Sequence, residues 1–159
     1  MDHSESIQDK YGETYTLTVD EGRLENEITV FRILKSGCCS EIGHAHVVAH
    51  ETSFELSDIF IDTAVRVPPK SCGVTLPQWF RLLCDKQYDT ENFRERGLGT
   101  VLLAKVIARI RLTGRELFGA MHGDLARLGK WYAHHGFHAS SNRITLQFNK
   151  NLKSLNCYS

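Results

Sequence analysis

The stretch Arg94-Glu95-Arg96-Gly97-Leu98-Gly99-Thr100 sets two cations and two glycines directly before an apolar run. Glycine permits positive φ and close backbone approach. Where such a turn opens a helix, main-chain N–H groups converge on a point that the helix dipole also makes positive. The chemistry this suits is anion binding, and a pyrophosphate fits it. Arg94 and Arg96 would add charge-assisted hydrogen bonds. The pattern is neither Gly-x-Gly-x-x-Gly nor a glycine loop followed by Lys-Ser or Lys-Thr, so the dinucleotide and nucleoside triphosphate motifs do not apply.

Other residues could carry protons. Glu55 and Asp58 lie on one β-prone run. Strict alternation puts Glu55, Ser57, Ile59 and Ile61 on one face and Asp58 and Phe60 on the other. The two carboxylates therefore reach one cleft only if the strand bulges. His44 and His46 share a strand face, and His122, His134, His135 and His138 are expected near the cleft; any could relay a proton. No third and fourth ligand can be traced beside these imidazoles, so no metal is expected. The five cysteines are odd in number and form no Cys-x-x-Cys pair. That argues against a disulfide framework and a zinc ribbon.

These residues need elements to position them. Tyr15–Val19, Glu27–Leu34, Glu41–His50 and Ser53–Ile61 read as strands, rich in Ile, Val, Thr and Phe with turn residues between them. They predict an antiparallel meander. Residues 62–93 break the pattern with Pro68-Pro69, Gly73 and Pro77, then a short apolar helical stretch at Trp79–Cys84. Leu98–Leu112 is the clearest helix, with a broad apolar face suited to packing on a sheet. Thr113-Gly114 ends it, with Arg109, Arg111 and Arg115 near its negative terminus. Leu117–Met121 reads as a short buried strand. Asp124 is positioned to cap a helix running to about His135, Gly136 to stop it, and Arg143–Phe148 to form a last alternating strand.

The chain has 159 residues, 42% of them hydrophobic and 24% charged, which fits a single globular domain. No run approaches a membrane span, and the polar, acidic start lacks the regions of a secretory leader, so a cytoplasmic location is expected. The formal charge is zero but uneven: residues 1–62 hold 13 acidic and 4 basic side chains, residues 94–130 hold 3 acidic and 8 basic. A basic segment suits an anionic cofactor, an acidic half a cationic substrate. Zero net charge argues against a large nucleic-acid footprint.

Arg94-Glu95-Arg96-Gly97-Leu98-Gly99-Thr100-Val101-Leu102-Leu103 resembles the [Gln/Arg]-x-x-Gly-x-[Gly/Ala] signature of the GNAT superfamily of N-acetyltransferases, including its apolar helix. About 30 residues on, Trp131-Tyr132-Ala133-His134-His135-Gly136-Phe137 resembles the family's Tyr-x-x-x-Gly-Phe helix ending. The resemblance covers roughly residues 27–148. It implies a single acyl-CoA N-acyltransferase domain over 1–159 with an insertion at about 62–93. The implied fold is α/β of the α+β type: a mixed, mostly antiparallel splayed sheet with helices on both faces.

The resemblance further implies acetyl-CoA as co-substrate, its pyrophosphate on residues 94–100 and its pantetheine arm against the backbone of Phe60 and Ile61. The reaction would be direct attack of a primary amine on the thioester. Tyr132 matches the family's catalytic Tyr and would act as acid. Glu55 and Asp58 are the candidate bases, Glu55 preferred because its place on the strand resembles that of a base in several family members. Only residues 20–26 stand where the family has acceptor-binding helices, so the insertion is expected to supply the acceptor wall. Leu125 replaces the family's common Asn before the Tyr. The acceptor, a small molecule or a peptide, is left open, as is the oligomeric state, a homodimer included. The alternatives are a catalytically silent coenzyme A-binding sensor or interaction module of the same fold, and acylation of aminoacyl-tRNA.

Overall fold

The computed structural model describes residues 3–22, 27–36, 41–67 and 89–148. The protein is a mixed α/β fold on one eight-stranded sheet, its strands arranged in space as β1-β2-β3-β4-β5-β8-β10-β9. β1 (His3–Gln8), β2 (Thr14–Asp20), β3 (Ile28–Leu34), β4 (Gly43–Ala49) and β5 (Ser53–Ile61) form the expected antiparallel meander. β1 was not anticipated: its one deeply buried apolar residue is Ile7, and pairing with β2 rather than alternation makes it a strand. β9 (His138–Ser140) is likewise an addition. It pairs with β10 (Arg143–Leu146), which lies antiparallel to β8 (Glu116–Ala120).

Two short strands, β6 (Val65–Val67) and β7 (Asp89–Glu91), pair as a separate ribbon at the base of the insertion. Val65 and Val67 join the core there. The expected helical stretch at Trp79–Cys84 lies outside the described residues.

Helix α1 (Leu98–Arg111) packs on β4, β5 and β8, and its buried face shares one core with Tyr15, Leu17, Phe31, Ile33, Ala45, Val47, Leu56 and Leu117. Its buried residues Leu98, Leu102, Leu103, Val106 and Ile110 recur at helical spacing. A 14-residue helix is marginal alone in water. Burying five such side chains contributes on the order of 10 kcal/mol, which is what fixes it. Thr113 Oγ1 donates to the Ile110 carbonyl at 2.7 Å, and Gly114 takes φ +67 beyond it. Helix α2 (Leu125–His134) starts where Asp124 Oδ1 accepts from the Arg127 amide at 3.1 Å. It stops at Gly136, with φ +89, where the Phe137 amide donates back to the Tyr132 carbonyl. Among the described residues no helix is long and apolar enough to cross a membrane.

Candidate functional site

The site is organised by strand β5, which changes partners halfway along. Ser53–Leu56 pair in parallel with Glu116–Gly119 of β8. From Ser57 to Ile61 the strand keeps β4 but has no strand on its other edge among the described residues. Gly119 permits the close approach at the last paired rung, since a Cβ there would sit 2.8 Å from the Leu56 carbonyl. The change coincides with a β-bulge: Val47 faces Leu56 and His46 faces Asp58, so Ser57 is an extra residue.

The bulge corrects the alternation expected from sequence. It shifts the pleat by one residue and brings Glu55, Asp58 and Phe60 to the same face, with Val48, His46 and His44 opposite them on β4. Glu55 and Asp58 nevertheless stand in different surroundings. Glu55 lies on the doubly paired half, across from Phe118, with its carboxylate 3.2 Å from His50 Nε2. Asp58 lies on the parted half, 3.2 Å from His44 Nε2. His44 Nδ1 in turn meets Glu41 Oε1 at 2.9 Å, and its ring stacks on His46 with 4.6 Å between centroids. Phe60 is left exposed beside them.

The glycine loop closes the parted end. Gly97 precedes α1 with φ +82 and no side-chain cap, and Glu95 holds φ +65, a conformation that non-glycine residues rarely adopt. The first intrahelical bond runs from the Val101 amide to the Gly97 carbonyl. Among the described residues nothing accepts from the amides of Leu98, Gly99 or Thr100. They are the open N-terminal donors of the helix. A Cβ on Gly99 would lie 3.7 Å from Ile61 Cγ1 and 3.9 Å from Trp131 Cζ2, so this glycine marks where β5, α1 and α2 meet. Trp131 Nε1 donates to Thr100 Oγ1 at 3.3 Å across the same junction.

The loop's two arginines part company. Arg94 is exposed, stands over the Phe60 ring and donates from Nε to the Ile61 carbonyl at 3.4 Å. Arg96 turns away. Its guanidinium binds Asp9, Glu13, Glu91 and the Tyr15 hydroxyl, and its carbonyl accepts from the Lys10 amide. Lys35 joins Glu13 at 2.6 Å and Glu91 at 3.2 Å. The side-chain donor expected of Arg96 toward a phosphate is therefore already committed to carboxylates. Burial by itself would raise the Asp9 carboxyl. Hydrogen bonds from the Glu13 and Tyr11 amides, the Tyr15 hydroxyl and Arg96 outweigh it and hold that carboxyl low. Burial and the two carboxylates push the Tyr15 phenol well up. Asp9 and Glu13 escaped the sequence reading, although Gly12, with φ +81 between them, is the signal of a hairpin turn.

Tyr132 is buried on α2, its ring edge-on to Trp131 and Phe137. Burial first, and the Asp58 charge second, push its phenol up to about 12. It is therefore a neutral hydroxyl at physiological pH, able to donate. No described group hydrogen-bonds that oxygen, yet it is not sealed in, because the fully buried unpaired atom found is His135 Nε2. A separate groove runs along α2, lined by apolar residues such as Met121, Leu125 and Phe137 together with Lys130, His138 and Ser141; it holds none of Glu55, Asp58, Tyr132 or the glycine loop.

Part of the uneven charge resolves internally: Lys105 pairs with Glu5 at 2.6 Å, Arg109 with Glu21, and Arg96 with the carboxylates above. No protein-family model matches the chain, and no curated protein sequence matches it.

Proposed function

We propose that this chain is an acyl-CoA N-acyltransferase of the GNAT type, moving an acetyl group from acetyl-CoA to a primary amine. The observation that carries the reading is the trio of unpartnered amides at Leu98, Gly99 and Thr100, opening on the gap where β5 leaves β8. A diphosphate suits those donors and the dipole behind them. The free edge of β5 at Phe60 and Ile61 then offers main-chain groups to the amide-bearing arm. Arg94, lightly held at the Ile61 carbonyl, can release it and turn to the phosphates. On this reading the open sheet and helices on both faces are those of the GNAT fold.

The residues at the gap divide the proton traffic. A primary ammonium, with pKa near 10.4, must lose a proton before it can attack. Asp58, on the parted half with Phe60 and His44, takes that role in preference to Glu55, directly or through water. The amine nitrogen then bonds to the thioester carbonyl carbon, and the carbon–sulfur bond breaks. Tyr132 gives its proton to the leaving sulfur and is reprotonated as the new amide nitrogen sheds its extra proton. Amide, thiol and one released proton balance the step. A base and an acid so placed contribute roughly 10²–10⁴-fold each. Glu41, Asp58 and Glu55 on this wall favour a cationic acceptor, a small amine or a peptide amine.

Titration calorimetry with coenzyme A tests the reading. The parent is expected to bind, and Gly99→Trp, which fills the junction between Ile61 and Trp131, to weaken binding by more than about 100-fold. Equal binding by both proteins overturns the assigned site. Parent protein that binds coenzyme A but releases no thiol from acetyl-CoA with any amine of a broad panel would instead be a silent binding module.

A further inference from the structure

Where β5 bulges, two imidazoles and a carboxylate come together with an unused capacity. One ligand atom from each of His44, His46 and Asp58 lies within 4.8 Å of the others. His44 Nε2 and Asp58 Oδ2 are 3.2 Å apart. Two ligands at about 2.0–2.1 Å from a tetrahedral ion stand roughly 3.3 Å apart, so this pair already has the right separation. His44 Nδ1 faces Glu41 Oε1 at 2.9 Å. A carboxylate on the far ring nitrogen is the partner that fixes a ligating histidine's tautomer and leaves Nε2 as the acceptor. Glu41 is itself held by Arg32 at 3.4 Å. His46 stacks on His44 and makes no hydrogen bond with any described residue, so its ring nitrogens are free to ligate. The sequence hid this set because His46 meets Asp58, and His44 meets Phe60, only in the register that the bulge creates.

We propose that His44, His46 and Asp58 form a binding site for a divalent transition-metal ion, with Glu41 as the carboxylate that orients His44. Three protein ligands leave a coordination position for water or an exogenous ligand. Imidazole and carboxylate donors without thiolate suit zinc, cobalt or nickel rather than a soft ion. The ligand set stands without any thioester, so the site does not depend on the acyltransferase reading. If both hold, the ion and the acceptor amine compete for Asp58, and metal binding suppresses transfer.

The test uses the full chain, stripped with a chelator and titrated with zinc by calorimetry and with cobalt by visible spectroscopy. One ion per chain is expected, with cobalt bands free of thiolate charge transfer. His46→Ala and the isosteric Asp58→Asn should each weaken zinc binding by more than about 100-fold, and Glu41→Gln by about 10-fold. Circular dichroism and thermal unfolding of the stripped variants should match the parent, which separates lost ligands from lost fold. The proposal is overturned if the parent binds no ion, if His46→Ala and Asp58→Asn bind like the parent, or if cobalt shows thiolate bands. Coenzyme A binding, read in the same variants, reports on the acyltransferase site separately.

Discussion

Beneath the glycine loop, Arg96 and Lys35 meet Asp9, Glu13 and Glu91; on the wall of the parted strand, His44 and His46 meet Glu41 and Asp58. Both clusters set carboxylates against basic nitrogens, and burial separates what they do. The Asp9 side chain has no exposure, whereas that of Asp58 is 53% exposed. Under the loop each charge is paired and Asp9, Glu91, Lys35 and Arg96 are largely shielded from water, so the cluster acts as a fixed joint between the β1–β2 hairpin and residue 96. On the wall imidazoles stand where the other cluster has its guanidinium and ammonium, and the Asp58 carboxylate beside them is open to water or a ligand. One cluster resists change and holds the glycine loop; the other is open to exchange.

Arg96→Ala is the severest way to break that contrast. It leaves the buried Asp9 carboxylate without its cation and Glu91 with Lys35 alone, and removing one partner of a buried ion pair costs about 3–5 kcal/mol. Urea denaturation should show a loss of that size, whereas Asp58→Asn should cost less than about 1 kcal/mol. A loss below about 1 kcal/mol for Arg96→Ala would mean that the loop is not held by this joint.

Next in size is the Tyr132 hydroxyl. Tyr132→Phe keeps the ring between Trp131 and Phe137 but removes the proton donor. We expect kcat to fall at least about 10²-fold, near 3 kcal/mol of barrier, with coenzyme A affinity unchanged. A variant with full kcat would remove Tyr132 from the chemistry and leave it as packing.

What was readable in the sequence follows the range of the forces involved. The meander, both helices and the glycine loop were legible because alternation, the Asp124 cap and the glycines at 97, 99 and 136 are local signals. β1 was not, because its strand character comes from pairing with β2. The joint under the loop was hidden because Arg96 lies more than 80 residues from Asp9 and Glu13 and only the sheet order unites them. The bulge at Ser57 left no trace in the pattern, and it changed which carboxylate suits the gap. The expectation that favoured Glu55 rested on its resemblance in position to a base of the family, and strict alternation had set Asp58 on the other face.

That difference between neighbours on one strand sharpens the comparison further. Glu55 is tied to His50 where β5 is paired on both sides, and Asp58 faces the gap. Glu55→Gln should change kcat by less than about threefold, whereas Asp58→Asn should lower it by about tenfold or more and most strongly at low pH, where free amine is scarce. A larger loss from Glu55→Gln than from Asp58→Asn would return the base role to Glu55.

The smallest effect concerns His135, at the C-terminal end of α2 behind Trp131. Its buried Nε2 has no partner among the described residues, and burial first, then the neighbouring His134, hold its pKa below the ordinary 6.5. The sign follows from proton uptake. The unfolded chain binds this proton more readily than the folded one, so the contribution is fully present above pH 6.5 and is lost as pH falls from there toward the folded value. Asp9 and Glu13, also held low, add their losses only further down, as pH falls from the ordinary carboxylate range toward their folded values. Unfolding measured between pH 7.5 and 5.5 should therefore isolate His135. The parent should lose stability across that window, and His135→Gln should flatten the slope while leaving the acid-side loss below pH 4 in place. An unchanged slope in the variant would mean that His135 does not carry the proton uptake.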